Sequence, residues 1–304
     1  MVRRLTDDRP QAAASQLYFA PKVADASIQE IVAVFGQPVA GNPTQFMMER
    51  ALAQAGLDWR YLTLEVAPEL LGDAIRGMRA MGFRGCNLTK PHKVAVIEFL
   101  DRLAESAEIC GAVNCVVREG AKLVGENTDG KGFLQSLEEV TPAAGKDFVI
   151  LGAGGAARAI AVEVARAGAA HITVVNRSAD RGQQLVELLR TRTSAAADFV
   201  LWQGGFEVPA GTNVLVNATS IGLKDADARV PIAIKSLRPD LIVADVNFNP
   251  PDTRLVRDAR ERGCTTLSGL GMLVNQAVIA FELWTGIRPD RTAMSDALEE
   301  FLGF

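Results

Sequence analysis

Lys93 in the segment NLTKPHK and Asp129 in NTDGKG are titratable side chains in polar, turn-rich segments between regular elements. A lysine or a carboxylate in a cleft can move a proton during a reaction, as general acid or general base. Taken singly, each is more often a charge on the protein surface. Both meet the two requirements for acid–base chemistry, titration and a place on a loop, so we treat them as candidate catalytic residues.

A glycine-rich turn is the second chemical feature. The stretch DFVILGAGGAARAIAVEVARAGAAHITVVNRS predicts a buried strand, a glycine turn, a helix that stops at Gly168 and a second strand, as in dinucleotide-binding units. The spacing is GxGG rather than GxGxxG, but small residues still let the backbone approach a pyrophosphate at the helix N-terminus. A tight turn without a ligand is the alternative, and the flanking strands weigh against it. The predicted cofactor contacts are Gly152, Ala153, Gly154, Gly155 and Ala156.

The end of the second strand bears on the choice of cofactor. NAD-binding units usually carry an acid there for the ribose hydroxyls, whereas this chain has Asn176, Arg177 and Ser178, which we assign to the cofactor site. The planar cation of Arg177 suits a 2′-phosphate; the alternative is an ion pair with Asp180 on the next helical turn. We therefore expect NADP. A nicotinamide handles only the hydride, so oxidation of an alcohol also needs a group that moves the hydroxyl proton.

Several separated segments resemble motifs of the shikimate dehydrogenase family, in the family's order, between about residue 31 and about residue 285. One such motif would carry little weight, whereas the whole series is specific. The segments are NLTKPHK against the family's NVTxPxK, AVN at 112–114, NTD at 127–129, GAGGAA with NRS, NATS at 217–220 with Gly222, and GLGMLVNQA from Gly269.

The resemblance implies that Lys93 and Asp129 form the catalytic pair at a cleft between two domains. A nearby carboxylate favours the charged form of a lysine, so Lys93 either acts as the base or stabilises the developing alkoxide by its charge. In the second case Asp129 or water moves the proton, and the sequence does not choose between these roles. The implied contacts to the substrate's ring hydroxyls are Asn87, Thr89, Asn114, Asp129 and Gln276, and further implied cofactor contacts are Asn217, Thr219, Ser220, Gly269 and Met272.

Three positions depart from the family's pattern. The family holds its substrate's carboxylate with two serines of an early SxS segment and a tyrosine of a late DxxYxP segment, and the equivalent residues here are Asn42, Thr44 and Phe248. Threonine keeps a hydroxyl and asparagine an amide donor, but phenylalanine has no hydrogen to donate. A one-residue slip in the alignment of AGNPT is the alternative at the first two positions, whereas Asp245 and Pro250 anchor the third.

The departures bear on the choice of substrate. Losing one hydrogen bond to a charged group costs about 1.5–3 kcal/mol, or about one to two decades in affinity. We expect oxidation of shikimate or a closely related cyclic hydroxy acid to its 3-keto form. Quinate, an aminated analogue or a ring without the carboxylate would fit the altered positions.

Strands and helices alternate along most of the chain, which favours parallel sheets with helical crossovers and an α/β fold. The length of 304 residues suits two domains. Helices are predicted from about Gln45 to Ala55 and from about Val94 to Ala107. We predict an N-terminal arm over residues 1–28, a mixed α/β substrate domain over 29–128, a Rossmann-type NADP-binding domain over 129–269, and C-terminal helices over 270–304 that pack on the substrate domain.

The composition narrows the class of protein. Hydrophobic residues make up 48% of the chain and the net charge is −4, which favours a folded protein and disfavours partners such as nucleic acid or anionic membrane. No apolar run approaches the roughly 20 residues that span a bilayer, and MVRRLTDDRP does not resemble a signal peptide. Four cysteines without CxxC spacing and two histidines predict a reducing compartment and no metal. We therefore expect a cytoplasmic protein with a small-molecule substrate and leave a homodimer open.

Two other functions fit the same features less well. One is an NAD-dependent catabolic dehydrogenase that acts on quinate or shikimate, against which Arg177 weighs. The other is a non-catalytic, ligand-sensing protein of the same fold. A sensor needs no proton-transfer pair, so the presence of both Lys93 and Asp129 favours an enzyme.

Overall fold

The computed structural model describes residues 29–303, so the predicted arm over residues 1–28 lies outside the described residues. The first of two sheets contains β1 (Glu30–Gly36), β2 (Trp59–Glu65), β3 (Gly85–Leu88), β4 (Arg102–Leu103), β5 (Cys115–Glu119) and β6 (Lys122–Glu126). Their order across the sheet is β2-β1-β3-β5-β6-β4. Strands β1, β2 and β3 are parallel, whereas β5 runs antiparallel to both β3 and β6. This sheet is therefore mixed in strand direction, whereas the alternation of strands and helices predicted a parallel sheet; β5 and β6 are joined by a short turn and not by a helical crossover.

The second sheet is parallel throughout. It contains β7 (Asp147–Leu151), β8 (His171–Asn176), β9 (Ala196–Leu201), β10 (Val214–Asn217), β11 (Ile242–Asp245) and β12 (Thr265–Leu267). The order is β12-β11-β10-β7-β8-β9, so the chain leaves β7 toward β8 on one side and later returns to place β10 on the other. Such a reversal opens a crevice at the carboxyl ends of the two central strands, where ligands bind in open α/β sheets.

Helices connect most of the strands. In chain order they are α1 (Thr44–Gln54), α2 (Leu71–Ala80), α3 (His92–Ala95), α4 (Glu105–Cys110), α5 (Thr128–Glu138), α6 (Gly155–Arg166), α7 (Ala179–Arg192), α8 (Arg254–Glu261), α9 (Gly269–Thr285) and α10 (Arg291–Leu302). No helix among residues 29–303 is long and apolar enough to cross a membrane.

The predicted helix from about Val94 to Ala107 is wrong. Helix α3 has only four residues, a 3-10 turn follows it, and the chain then forms the short strand β4 before α4 begins. Arg102 and Leu103 pair with Val124 and Gly125 of β6, and this strand pairing overrides the local helical tendency of the sequence. The consequence is a compact turn around Lys93 instead of a long helix.

The polar segment NTDGKG is helical rather than a loop. Helix α5 begins at Thr128, and the Oδ1 atom of Asn127 caps it by accepting a hydrogen bond from the backbone N–H of Asp129 at 3.2 Å. Asp129 therefore lies in the first turn, where the helix dipole stabilises a negative charge. This helix fixes the direction of the Asp129 carboxylate more firmly than a loop would.

The C-terminal helices return to the first sheet. Val274 and Phe281 of α9 and Met294 of α10 share one hydrophobic cluster with Val32 of β1. Helix α9 also packs closely on α5, because a Cβ atom at Gly132 would lie 2.6 Å from the backbone nitrogen of Gln276. The α/β class and the return of the C-terminal helices are confirmed.

Candidate active site

Lys93 and Asp129 form the centre of the candidate site. Lys93 Nζ lies 2.6 Å from Asp129 Oδ2, as an ion pair and a hydrogen bond. Their side chains are 30% and 17% exposed, so the pair is partly buried and still reachable by a small molecule. Helix α3 supplies the lysine and the first turn of α5 the aspartate. The two candidate catalytic residues are thus brought together from separate segments.

Asn114 holds the other oxygen of Asp129. Its Nδ2 atom donates to Asp129 Oδ1 at 2.8 Å and to Thr128 Oγ1 at 2.9 Å, while its own Oδ1 accepts from the backbone N–H of Thr128 at 2.6 Å. Asn114 is buried, so these bonds form away from bulk water. Both carboxylate oxygens of Asp129 are therefore held in place.

Asn87 is held by a residue that the sequence did not single out. The hydroxyl of Tyr61 on β2 donates to Asn87 Oδ1 at 2.7 Å, and Asn87 Nδ2 donates to the carbonyl oxygen of Asn114 at 3.1 Å. Tyr61 is fully buried, and burial raises the pKa of its phenol well above the ordinary value. It stays a neutral donor that fixes Asn87. In the sequence, Tyr61 looks like any apolar residue of an alternating strand.

Thr89 and Gln276, two further predicted substrate contacts, lie in the turn after β3 and on α9. Thr89 follows β3, and its backbone N–H donates to the carbonyl oxygen of Phe35 at 2.9 Å, which ties the NLTKPHK turn to β1. Gln276 lies on α9 where that helix contacts α5, and its Nε2 atom donates to the carbonyl oxygen of Leu273 at 2.9 Å. The second amide hydrogen of Gln276 remains available to a ligand.

Asn42, Thr44 and Phe248, the three residues that depart from the family's pattern, differ in the polar groups that they can present to a ligand. Asn42 Oδ1 accepts the backbone N–H of Thr44 at 2.9 Å at the start of α1, so the amide oxygen is used locally and the NH₂ group is left to donate. Thr44 is 5% exposed. Phe248, three residues beyond β11, is half-buried and presents an apolar ring to the neighbouring crevice.

That crevice lies at the carboxyl ends of β7 and β10 and has a volume of about 490 Å³. Gly152 adopts a φ of 108°, and a Cβ atom there would lie 3.0 Å from the carbonyl oxygen of Ala218. A Cβ atom at Gly154 or Gly155 would meet nothing within 4 Å, so the backbone at the start of α6 is open to a ligand. Exposed N–H groups at a helix N-terminus suit a pyrophosphate, and the loop therefore fits a dinucleotide.

Most of the predicted cofactor residues line this crevice. They are Gly152, Ala153, Gly154, Gly155, Ala156, Asn176, Arg177, Thr219 and Ser220. Ser178, Asn217, Gly269 and Met272 do not line it. Ser178 instead caps α7, and Gly269 packs on the backbone of Val246 at the start of α9.

Arg181, Trp202 and Lys90 also line the crevice but were not predicted. Arg181 lies one helical turn after Arg177, and that spacing in NRSADR could have revealed it. Arg177 is exposed and forms no hydrogen bond or ion pair with Asp180 in the described part of the chain. Two cations therefore stand free at the end of β8, where a 2′-phosphate would lie.

Asn217 is fully buried and acts through its neighbours. Its Oδ1 atom accepts the hydroxyl hydrogen of Thr219 at 2.7 Å, and its Nδ2 donates to Asp245 Oδ1 at 3.1 Å. Asp245 also accepts hydrogen bonds from Asn247 and Thr253. Burial raises the pKa of the Asp245 carboxyl, and these hydrogen bonds oppose the rise. The network joins the Thr219 side of the crevice to the segment that carries Phe248.

Three family models match the chain. The shikimate dehydrogenase substrate binding domain matches residues 34–116, the shikimate / quinate 5-dehydrogenase model matches 136–202, and the shikimate 5'-dehydrogenase C-terminal domain matches 269–299. A shikimate dehydrogenase (NADP(+)) of Methanopyrus kandleri is 40% identical over 278 residues, which cover 90% of this chain and 96% of the relative. The chain belongs to the shikimate dehydrogenase family. The predicted family of oxidoreductases is thereby confirmed, and the name of the Methanopyrus relative gives NADP(+) as that enzyme's cofactor.

Solved structures of this family agree in fold. Shikimate 5-dehydrogenase of Thermus thermophilus, in complex with NADP(H) and shikimate, is 34% identical with a TM-score of 0.79 and covers 90% of this chain and 100% of its own. The ligand-free 5-ketofructose reductase of a Gluconobacter species is 52% identical with a TM-score of 0.88 and covers 90% of this chain and 99% of its own. The chain is thus similar in fold both to a shikimate 5-dehydrogenase and to a 5-ketofructose reductase.

Proposed function

We propose that the chain catalyses the NADP-dependent, reversible oxidation of a secondary hydroxyl to a ketone on a small polyhydroxylated compound of the shikimate type. The observation that carries the proposal is the ion pair between Lys93 Nζ and Asp129 Oδ2 at 2.6 Å. The pair stands near a crevice whose glycine loop suits a dinucleotide. NADP, when bound, supplies or accepts the hydride, and the protein must move the remaining proton.

Lys93 is the proton donor in the direction of ketone reduction. Asp129 accepts a hydrogen bond from Lys93 Nζ and thereby fixes the direction of the group that donates the proton. As the carbonyl carbon gains a hydride, its oxygen gains negative charge, and Lys93 Nζ stabilises this charge before transferring a proton to it. In the oxidation direction the neutral amine accepts the hydroxyl proton. Asn114 keeps Asp129 in place throughout.

The residues around the pair favour a substrate with several hydroxyls. We assign Asn87, Thr89 and Gln276 to hydrogen bonds with substrate hydroxyls, because amide and hydroxyl groups both donate and accept. Asn114 instead positions Asp129, because both of its amide hydrogens are donated to Thr128 and Asp129. Oxidation of shikimate, or a close relative, to its keto form is the reaction that the family assignment supports.

A second candidate substrate is an uncharged keto sugar such as 5-ketofructose. Two observations favour it over a carboxylate-bearing ring. Phe248, which the sequence resemblance aligns with the family's carboxylate-binding tyrosine, has no hydroxyl to donate. The 5-ketofructose reductase of Gluconobacter is 52% identical to this chain, against 40% and 34% for the two shikimate enzymes described above. We infer that shikimate binds more weakly than an uncharged polyol of similar size.

Transfer of deuterium tests the proposed reaction directly. The purified chain is mixed with NADPH carrying deuterium at nicotinamide C4 and with 5-ketofructose or the keto form of shikimate, and the product is analysed by mass spectrometry. Retention of deuterium in an alcohol product supports the proposal. Nucleotide binding without any labelled product would instead indicate the ligand-sensing alternative.

We further propose a cytoplasmic enzyme that does not bind nucleic acid. The net charge of −4 supports the second point, and the four free, buried cysteines are compatible with a reducing compartment. A homodimer is proposed as the state to test, by sedimentation velocity over a range of protein concentrations.

A further inference from the structure

Lys90 is the one residue outside the range 152–248 that lines the cofactor crevice in the described part of the chain. All other lining residues belong to the second sheet and its loops, whereas Lys90 extends from the turn after β3 of the first sheet. The crevice that would hold the dinucleotide therefore has one wall residue from the substrate side, and that residue is a cation.

The Lys90 ammonium group is available to a ligand. Its side chain is exposed and forms no hydrogen bond or ion pair with any residue that the structure describes. The backbone of the same residue is fixed, because its carbonyl oxygen accepts the N–H of Gln37 at 2.9 Å. A fixed backbone with a free cation is an arrangement that can bind an anion without a large loss of loop entropy.

The other residues that line the crevice indicate which anionic group of a ligand Lys90 would bind. Gly154 and Gly155 expose backbone at the N-terminus of α6, and a dinucleotide places its pyrophosphate there. Arg177 and Arg181 stand further along the crevice at the end of β8, the position of a 2′-phosphate. Lys90 lines the same crevice from the turn after β3, and the exposed backbone at Gly154 and Gly155 is where the pyrophosphate of a dinucleotide would lie.

Lys90 also belongs to the turn that carries the substrate residues. Asn87 and Thr89 precede it, and Lys93, the partner of Asp129, follows three residues later. A contact between Lys90 and the cofactor would therefore restrict the turn that presents Lys93 to the substrate.

Resting on the NADP-dependent function proposed above, we infer that Lys90 binds the cofactor's pyrophosphate from across the cleft and thereby couples cofactor binding to substrate binding. Coupling between two sites is reciprocal, so bound cofactor raises substrate affinity by the same factor by which substrate raises cofactor affinity. Lys90 supplies part of that factor because its charged end binds the cofactor while its fixed backbone belongs to the turn that carries the substrate residues.

The test uses the full chain with three variants. Lys90→Met keeps the length of the side chain but removes the charge, and Lys90→Arg keeps the charge. Lys122→Met is the matched control, an exposed lysine on β6 of the same sheet that does not line the crevice. Dissociation constants for NADPH and for NADH are measured by nucleotide fluorescence, and substrate affinity is measured with and without NADP.

Lys90→Met is expected to weaken the binding of NADPH and of NADH by the same factor of about ten, because both cofactors contain the pyrophosphate. This factor follows from a hydrogen bond to a charged group being worth about 1.5 kcal/mol or more. The factor by which NADP raises substrate affinity should fall in this variant, return in Lys90→Arg and stay unchanged in Lys122→Met.

Three results would overturn the inference. Unchanged nucleotide affinity would leave Lys90 a surface charge, and a loss confined to NADPH would assign it to the 2′-phosphate. Weaker substrate binding with unchanged nucleotide affinity would indicate that Lys90 contacts the substrate directly. Turnover of the wild-type chain tests the proposed function separately, so each hypothesis can fail without the other.

Discussion

Lys93 Nζ and Asp129 Oδ2 lie 2.6 Å apart although one belongs to a four-residue helix of the first sheet's loops and the other to the first turn of α5. The contact depends on two different local structures, the tight turn around α3 and the Asn127 cap of α5. Because α5 packs on α6 and α9, the carboxylate is tied to both parts of the molecule. The pair is therefore well placed to act between the substrate and the dinucleotide.

Replacing Lys93 with Met should lower kcat by about 10²–10⁴-fold, the usual contribution of a general acid or base. NADPH affinity should remain nearly unchanged, because Lys93 is not among the residues that line the cofactor crevice in the described part of the chain. Lys131→Met is the control, since Lys131, on the helix that carries Asp129, forms a similar 2.7 Å ion pair with Glu126. Steady-state kinetics and nucleotide titration check both parts, and an active Lys93→Met enzyme would remove the lysine from the catalytic role.

Replacing Arg177 or Arg181 with Ala should weaken NADPH by about tenfold or more and leave NADH almost unaffected. The physical reason is that a guanidinium donates charge-assisted hydrogen bonds to the 2′-phosphate, which NADH lacks. Arg190→Ala serves as the control because Arg190, on the same helix as Arg181, pairs with Asp198 away from the crevice. Equal losses of affinity for NADPH and NADH would indicate that these arginines have only a structural role.

Replacing Tyr61 with Phe should raise the substrate KM by about three- to tenfold, because Asn87 loses the hydrogen bond that orients it. The change also leaves a buried acceptor with fewer partners, at a cost of about 1–3 kcal/mol in the free energy of unfolding. Kinetics and urea denaturation separate the two effects. Lower stability with an unchanged KM would show that Tyr61 only supports the core.

Asp245 gives a prediction about pH. Burial raises its folded-state pKa, so the folded protein binds this proton more readily than the unfolded chain does. Ionised Asp245 therefore lowers stability progressively as pH rises from the ordinary carboxyl value through the raised one. Relative to the wild type, Asp245→Asn should gain free energy of unfolding as pH rises from about 4, the ordinary carboxyl value, through the raised pKa of Asp245, as followed by urea denaturation. A relative loss over that range would give the opposite sign for the pKa shift.

The sequence predicted which residues lie together better than it predicted the local secondary structure. Lys93, Asp129 and the glycine loop were found because their residue types and order carry the signal. The helix over Val94–Ala107 failed because strand pairing between β4 and β6, distant in sequence, decides that segment.

The roles of residues that only the fold brings together could not be predicted from their spacing in the sequence. Tyr61 supports Asn87 across two strands of the sheet, and Asn217 acts through Thr219 and Asp245 rather than on the crevice itself. Lys90 occupies the variable position x of the NVTxPxK motif, so the motif itself gives it no role. Only the structure shows that it lines the cofactor crevice.

The most direct measurement compares kcat/KM for NADPH-dependent reduction of 5-ketofructose and of the keto form of shikimate, in the wild type and in Phe248→Tyr. We expect both compounds to be reduced, with the uncharged keto sugar preferred by the wild type. The added hydroxyl in Phe248→Tyr should improve the carboxylate-bearing substrate by about one to two decades. Equal preference in the wild type with no effect of the tyrosine would contradict a rebuilt carboxylate site, and absence of turnover with either compound would contradict the proposed reaction.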